Sequence, residues 1–390
     1  LAGVQVLGLL SEPTAAAIAF GYEHQPDATH GVVIDLGGGT FDVSVLTFEG
    51  QNLTVEATGG DAYLGGANFD KVLFDHFVSE FDYRHGVDVR DPDSLSVEDF
   101  TQVSQDWLGR ASRAKHDLTS RDRTMVQLQA AGLTLRVELT RREFERLSAV
   151  LLDEITEKLR DVTEAAGCSP SEFGVVLAVG GATRIPMVQE RIRSLFATSP
   201  DTSIRPDEAV ALGAAVYASR LQLEDGAGLV LEPSVRASLE TMTVTDVSAH
   251  SLGVSVFSSP DTGEMKPGLG RRTEVLLARN TPLPTRGSKT FYTRHPGETR
   301  IVIPVLEGDG PDPDTCTRIG SVVIEGLPAG RPAYQPVSVT MSYDRDGILE
   351  VTAEDEASHA TVTTTIERSG AAAISSNDTA SAAVRAATVL

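Results

Sequence analysis

Cysteine is scarce: the 390 residues contain two, Cys168 and Cys316. They lie far apart in sequence, which excludes a disulfide framework and points to a reducing, cytoplasmic compartment. Positive charge is also short. Lys and Arg number 33 against 55 Asp and Glu, a formal net charge of −22. So acidic a chain displaces counterions from a phosphate backbone only through a marked basic patch. The nearest candidate, Arg271-Arg272, is two residues long, so no nucleic-acid partner is expected. Long apolar runs are missing too: Val175 to Val179 is far shorter than a bilayer span, and no membrane insertion is expected. What is present is 41% hydrophobic residues, enough for a globular chain of two or three domains. No secretory-signal pattern is read at the opening Leu1, and the motifs below make a fragment of a longer protein the expectation.

The first helix is expected from Pro13 to Phe20, with Pro at its start and Gly21 as its left-handed stop. A meander of strands follows, at Val32-Val33-Ile34, Phe41 to Phe48 and Leu53 to Ala57, turning at Glu49-Gly50-Gln51-Asn52. From about Gly66 the pattern is mostly helical. Its clearest helix begins at Thr140, with Glu143 completing a capping box and Leu139 and Phe144 placed as a hydrophobic staple. Phe144, Leu147, Leu151, Ile155, Leu159 and Val162 then form one stripe that needs a covering surface. A buried strand, Val175 to Val179, runs into Gly180-Gly181, and helices follow at Pro186 to Phe196 and Pro206 to Leu221.

That order is an α/β, ribonuclease-H-like (actin-like) unit: three antiparallel strands, then alternating helix and strand, with a helical insertion at about 66–165. After it, residues 224–247 are polar and small and read as a linker. Residues 248–366 lose helical periodicity. Short alternating runs separated by Gly, Pro, Asn and Asp give an all-β sandwich of about eight strands. The Ala/Ser-rich tail, 367–390, is expected to be flexible.

The strongest chemical signal is Asp35-Leu36-Gly37-Gly38-Gly39-Thr40-Phe41-Asp42, a hairpin with three consecutive glycines. A turn uses one or two positive-φ residues, so the triplet leaves backbone N–H groups that a phosphate can approach. Asp35 is placed to hold a metal ion or its water, and the Thr40 hydroxyl can reach a phosphate oxygen. A second signal, Gly180-Gly181-Ala182-Thr183-Arg184, sits at a strand-to-helix junction, where Arg184 can stack on a purine. Gly59-Gly60 to Gly65-Gly66 is a third glycine-rich loop. Each is also compatible with an ordinary tight turn. Two such turns closing on one cleft favour a nucleotide.

Ser11-Glu12-Pro13-Thr14-Ala15-Ala16-Ala17, Asp35 to Asp42, Gly180 to Pro186 and Arg205-Pro206-Asp207-Glu208-Ala209-Val210 together resemble the DnaK-type chaperones of the heat-shock protein 70 family. Asn280 to Thr285 and Tyr343 to Leu349 are similar to that family's peptide-binding domain. The resemblance runs from about Leu1 to Ile366. The sugar and acetate kinases share the nucleotide turns but leave residues 251–366 unexplained.

The resemblance implies an ATP-dependent chaperone. ATP or ADP with Mg sits between two lobes and controls binding of unfolded, extended apolar polypeptide, with J-domain and nucleotide-exchange partners. It implies Gly37, Gly38, Gly39 and Thr40 at phosphate, and Asp35 near Mg through water. Glu12 is the acid that helps place the metal and the attacking water. Lys115, Thr119, Gly180, Gly181, Arg184 and Asp207 fall to the nucleoside side. Val254, Val256, Phe257, Phe291, Ile301 and Ile303 match the peptide cleft, although 254, 256, 301 and 303 share one sheet face by period 2, which equally suits a core.

The family's first phosphate loop and catalytic lysine have no match here. Residues 1–22 read as a remnant of the first lobe and 23–223 as the second, so negligible ATP hydrolysis is expected of these residues alone. Ser112 stands where the family has its ribose-binding acid, His116 where an arginine is frequent, Ala182 for a serine and Ala67-Asn68 for an acidic pair. Thr241 to Asp246 replaces the apolar linker. The competing expectation is a nucleotide-independent peptide-binding or scaffold module.

Overall fold

A computed structural model describes residues 6–201, 203–206, 208–226, 230–257 and 271–366. The chain forms two compact units, one spanning Leu10–Thr243 and the other built mainly from Val244 onward.

In the first unit, α1 (Glu12–His24) leads into β1 (Thr29–Leu36), β2 (Phe41–Glu49) and β3 (Asn52–Asp61). The helix does not stop at Gly21. It runs three residues further and ends at Gln25, which takes the left-handed conformation at φ 45°. Gly21 is internal and packs on Phe48, whose ring lies 3.4 Å from where a Cβ would stand. The helix is α2 (Gly66–His85) after β3, then α3 (Val97–Ser120), and here the helical expectation breaks down. β4 (Arg123–Ala130) and β5 (Leu133–Thr140) form a hairpin inside the insertion. Its two-residue loop, Ala131-Gly132, has φ of 49° and 73°, the paired positive values that match the twist of a tight hairpin. Val126, Leu128 and Val137, Leu139 face the core from the two strands, and Trp107 of α3 donates its indole N–H to Gln129 O at 3.3 Å.

The Thr140 cap is present, its hydroxyl accepting from Glu143 N at 3.2 Å. The helix it starts is short, α4 (Arg141–Leu147), and a break at Ser148 separates it from α5 (Ala149–Ala165). β6 (Phe173–Val179), α6 (Pro186–Phe196), α7 (Ala209–Glu224) and α8 (Pro233–Thr241) complete the unit. The sheet runs β6-β1-β2-β3, with β1 antiparallel to β2 and parallel to β6. Ile155, Leu159 and Val162 of α5 and Val188 and Ile192 of α6 share one core with Val32, Ile34, Val43 and Val45 of the sheet. Helix α1 belongs to this unit and packs on α7, so no boundary between compact units falls at residue 22.

Residues 224–247 are not an extended linker throughout. Pro233 opens α8, Leu239 and Met242 are buried, and Arg220 Nε donates to Met242 O at 2.7 Å. Thr243 N donates to Asn52 Oδ1 at 3.0 Å, and Leu53 N to Thr243 O at 2.9 Å. Polar composition concealed a segment anchored by two apolar side chains and backbone bonds.

The second unit follows β7 (Val244–Thr245) with eight strands: β8 (Leu252–Phe257), β9 (Arg271–Leu277), β10 (Thr285–Tyr292), β11 (Arg300–Glu307), β12 (Thr317–Glu325), β13 (Pro336–Tyr343), β14 (Leu349–Asp355) and β15 (Ala360–Ile366). They form two four-stranded antiparallel sheets, β12-β11-β8-β9 and β10-β13-β14-β15. Val254, Val305 and Val322 from one and Val339, Val351 and Ala353 from the other join in a single apolar cluster. A buried ion pair, Arg331 to Asp355, lies in this unit. Burial would raise the Asp355 carboxyl, but bonds from Arg331 and Ser358 outweigh it and hold the group below the ordinary carboxylate range. The expected flexible tail, 367–390, lies outside the described residues.

Candidate functional site

The turn between β1 and β2 closes with Gly37 N donating to Thr40 O at 3.0 Å. None of Gly37, Gly38 and Gly39 takes a left-handed φ, so the triplet is not a requirement of the turn. Its use lies in close approach. A Cβ on Gly38 or Gly39 would meet nothing within 4 Å, leaving the exposed tip open to a ligand. On the other side a Cβ on Gly65 would stand 2.6 Å from Gly39 N, so the third glycine-rich loop packs directly against the first. Gly66 N donates to Gly37 O at 3.0 Å and Ala67 N to Gly38 O at 2.7 Å. The free N–H groups that every helix start leaves over are here used by α2 to brace the hairpin. Asn68, in place of an acid, caps the same helix, accepting from Gly65 N at 2.8 Å.

Lys115 supports this brace. Its Nζ donates to Gly66 O at 2.8 Å and pairs with Asp70 Oδ1 at 2.8 Å, and the residue is 9% exposed. A lysine so engaged holds the start of α2 against the hairpin. Thr119 likewise spends its hydroxyl within its own helix, on Lys115 O at 3.1 Å.

Three carboxylates crowd the base of the hairpin. Asp35 and Asp42 are direct partners across β1 and β2, and Glu12 opens α1 behind the Ser11 cap. Burial, then the charges of Glu12 and Asp42, with a hydrogen bond to Glu12, push Asp35 up to about 7. Burial and Glu12 also raise Asp42, against a lowering bond from Thr40. Acids crowded in this way are relieved by a cation. Gly180 comes up against the same cluster: it sits at φ 80°, and a Cβ there would lie 2.5 Å from Asp35 Oδ1 and from Leu36 O. Thr183 Oγ1 donates to Gly180 O at 2.7 Å, fixing the second turn, while Gly181 and Arg184 are exposed and Ala182 is buried. Asp207 lies outside the described residues.

Geometry therefore brings together Glu12, Asp35, Gly37, Gly38, Gly39, Thr40 and Gly180. Sequence reasoning gave no role to Asp42, Gly65 or Asp70. A four-residue loop between two strands already sets 35 opposite 42, so that signal was available. Asp70 carried none, because its partner is 45 positions away.

In the second unit Val254 is completely buried and belongs to the core between the sheets, which removes it from a peptide-contacting surface. Ile303 is buried as well. Val256, Phe291 and Ile301 are half-buried at the margin of that core. Phe257 is 57% exposed, with the Arg294 guanidinium 4.6 Å from its ring centre.

The Hsp70 protein family model matches residues 1–387. Chaperone protein DnaK of Thermosipho africanus is 34% identical over 361 residues, 91% of this chain and 55% of the relative. The DnaK of Thermus thermophilus is 34% identical over 373 residues, 94% and 55% of the two chains, and that of Halobacterium salinarum 34% over 364, 92% and 52%. The chain thus spans about half the length of the curated relatives it matches. Among the described residues no helix is long and apolar enough to cross a membrane. With the glycine hairpin, its acidic base and this match over nearly the whole sequence, the chain belongs to the Hsp70 family.

Proposed function

We propose that Leu10–Thr243 forms an actin-like lobe binding ATP or ADP with Mg, and that the two sheets of the second unit form a sandwich binding extended apolar polypeptide, the working parts of a DnaK-type chaperone. The observation that carries the first half is the open Gly38-Gly39 tip on a hairpin whose base holds Asp35 and Asp42 beside Glu12. The residues fit the cofactor. Bare backbone suits a phosphate, and three mutually repelling carboxylates suit a divalent cation. Gly38, Gly39 and Thr40 would face phosphate, Asp35 would hold Mg through water, and Glu12 would orient a water beside it. Gly180, Gly181 and Arg184 would take the nucleoside. Bound Mg would neutralise phosphate charge. Lys115 acts through α2 as a positioning residue, and Thr119 with it. J-domain and nucleotide-exchange partners follow from the family alone.

Calorimetry of the 390-residue chain with ADP and Mg tests the lobe. Gly65→Ala forces α2 off the hairpin and is expected to weaken binding at least tenfold while the protein stays folded. ADP binding that ignores this substitution, or no ADP binding by the parent chain, would remove the proposal.

Val256, Phe257, Phe291 and Ile301 are the proposed peptide contacts, Ile303 lying with Val254 in the core, since a β-cleft pairs with peptide backbone and seats an apolar side chain in a pocket. Ile301→Asp should reduce binding of a fluorescent Leu-rich heptapeptide by on the order of tenfold, a loss of about 1.4 kcal/mol. Unchanged heptapeptide affinity in the folded variant would show that Ile301 is no part of the cleft.

A further inference from the structure

Away from the glycine hairpin, three side chains of different chemistry converge at the other end of β1. His30 Nδ1 lies 3.9 Å from Cys168 Sγ and 3.6 Å from Glu56 Oε1, and Cys168 Sγ lies 4.0 Å from Glu56 Oε2. We propose that His30, Glu56 and Cys168 form a binding site for a borderline divalent cation of the Zn²⁺ type.

The triangle has the right size. Bond lengths of about 2.0 Å to nitrogen and oxygen and about 2.3 Å to sulfur give tetrahedral edges of about 3.3–3.5 Å. Each observed edge exceeds these by only a few tenths of an ångström, which small rotations of the side chains close. A mixed nitrogen, oxygen and sulfur set selects Zn²⁺ over Mg²⁺ or Ca²⁺, which take oxygen alone.

The backbone is shaped to deliver the ligands. Pairing of β2 with β3 jumps from Val45↔Ala57 to Leu46↔Val55, so Glu56 is the extra residue of a bulge. Pairing of β1 with β6 jumps from His30↔Phe173 to Gly31↔Val175, so Gly174 is the extra residue of a second bulge, beside His30 and six residues after Cys168. Bulges re-aim side chains and gather at sites. Thr47, the strand partner of His30, places its hydroxyl 3.2 Å from Nδ1 and donates to Glu56 Oε1 at 2.5 Å, which holds imidazole and carboxylate side by side. With that proton spent on Glu56, Nδ1–H is the donor to Thr47, and it gives up this contact and its proton when the cation takes the nitrogen lone pair. His30 is 43% exposed and Glu56 28%, which leaves a path in and a fourth position for water.

This site is separate from the proposed nucleotide site. Asp35 is five residues further along β1, about 17 Å at strand rise. A redox role for Cys168 fits less well, because burial and the carboxylates of Glu56 and Glu172 push its thiol up and keep it a poor nucleophile. On binding, the cation takes the thiolate and the thiol proton leaves to solvent. It ties the α5–β6 connection to β1 and β3.

The test is Co²⁺ absorption of the full chain after chelator treatment, with Zn²⁺ competition. One equivalent should raise a thiolate-to-cobalt charge-transfer band that Zn²⁺ abolishes. Cys168→Ser should remove the band and Cys316→Ser should keep it. Glu56→Gln, which leaves the thiol in place, should weaken Zn²⁺ at least tenfold, with circular dichroism confirming that each variant is folded. Absence of the band at one equivalent, its persistence in Cys168→Ser, or unchanged Zn²⁺ affinity in Glu56→Gln overturns the assignment.

Discussion

Gly213→Ala is expected to destabilise the first unit by on the order of 3–4 kcal/mol, although helix propensity alone forecasts the opposite sign. Alanine is better than glycine inside a helix by about 1 kcal/mol. Gly213 lies in α7, however, where a Cβ would stand 1.7 Å from Ala15 O of α1 and 2.5 Å from the carbonyl carbon behind it. Neither atom is the tip of a flexible side chain. The helices must separate by more than an ångström, which opens the interface formed by α1 residues that are buried from Pro13 to Gly21. The displaced helix carries Glu12, so the substitution should also disturb the carboxylate cluster. Urea unfolding followed by tryptophan fluorescence reads the effect, since Trp107 lies in the same unit. A midpoint equal to or above that of the parent would show that α1 and α7 do not approach this closely.

That helix contact marks the limit of what the residues disclosed beforehand. Short apolar runs carry β1 and β6, and β1 is buried at six consecutive positions, on both faces; alternation carries β2 and helical spacing α6. The hairpin β4-β5 was hidden because Ala131, not Asn or Asp, takes the first left-handed position of its loop, so the usual turn signal was missing. The α8 helix was hidden by its polar surface, with Leu239 as its single buried residue. Within the site, a linear motif places Asp35 and the glycines on one turn. Three-dimensional partners were not legible: Lys115 matches a nucleotide-binding pattern, yet its charge is met by Asp70 and its donor by Gly66 O. Likewise, period 2 does not separate core from margin in β8, because Val254 and Val256 share a face and differ in depth, the first buried in the core and the second half-buried beside it.

Asp35→Asn is expected to stabilise the protein in metal-free buffer at pH 8, by roughly 2–4 kcal/mol. In the folded chain the Asp35 carboxyl titrates at about 7, against an ordinary value of 3.8, because burial, Glu12 and Asp42 all disfavour its charge. The sign follows from proton linkage. Well below 3.8 the group is neutral in both folded and unfolded chains and costs nothing. Between 4 and 7 the unfolded chain gives up the proton while the folded chain keeps it, so stability falls as pH rises. Above 7 the folded chain carries the charge and the whole penalty. Asparagine has nearly the same shape and no charge, so the parent and variant should lie close together at pH 4 and diverge up to pH 7. Mg²⁺ should narrow the gap at pH 8, since a cation bound by the parent offsets the repulsion that the variant lacks. Thermal unfolding from pH 4 to 8, with and without Mg²⁺, measures all three features. Parallel stability profiles across that range would show that Asp35 is an ordinary ionised carboxylate, and the cation reading of the cluster would lose its physical basis.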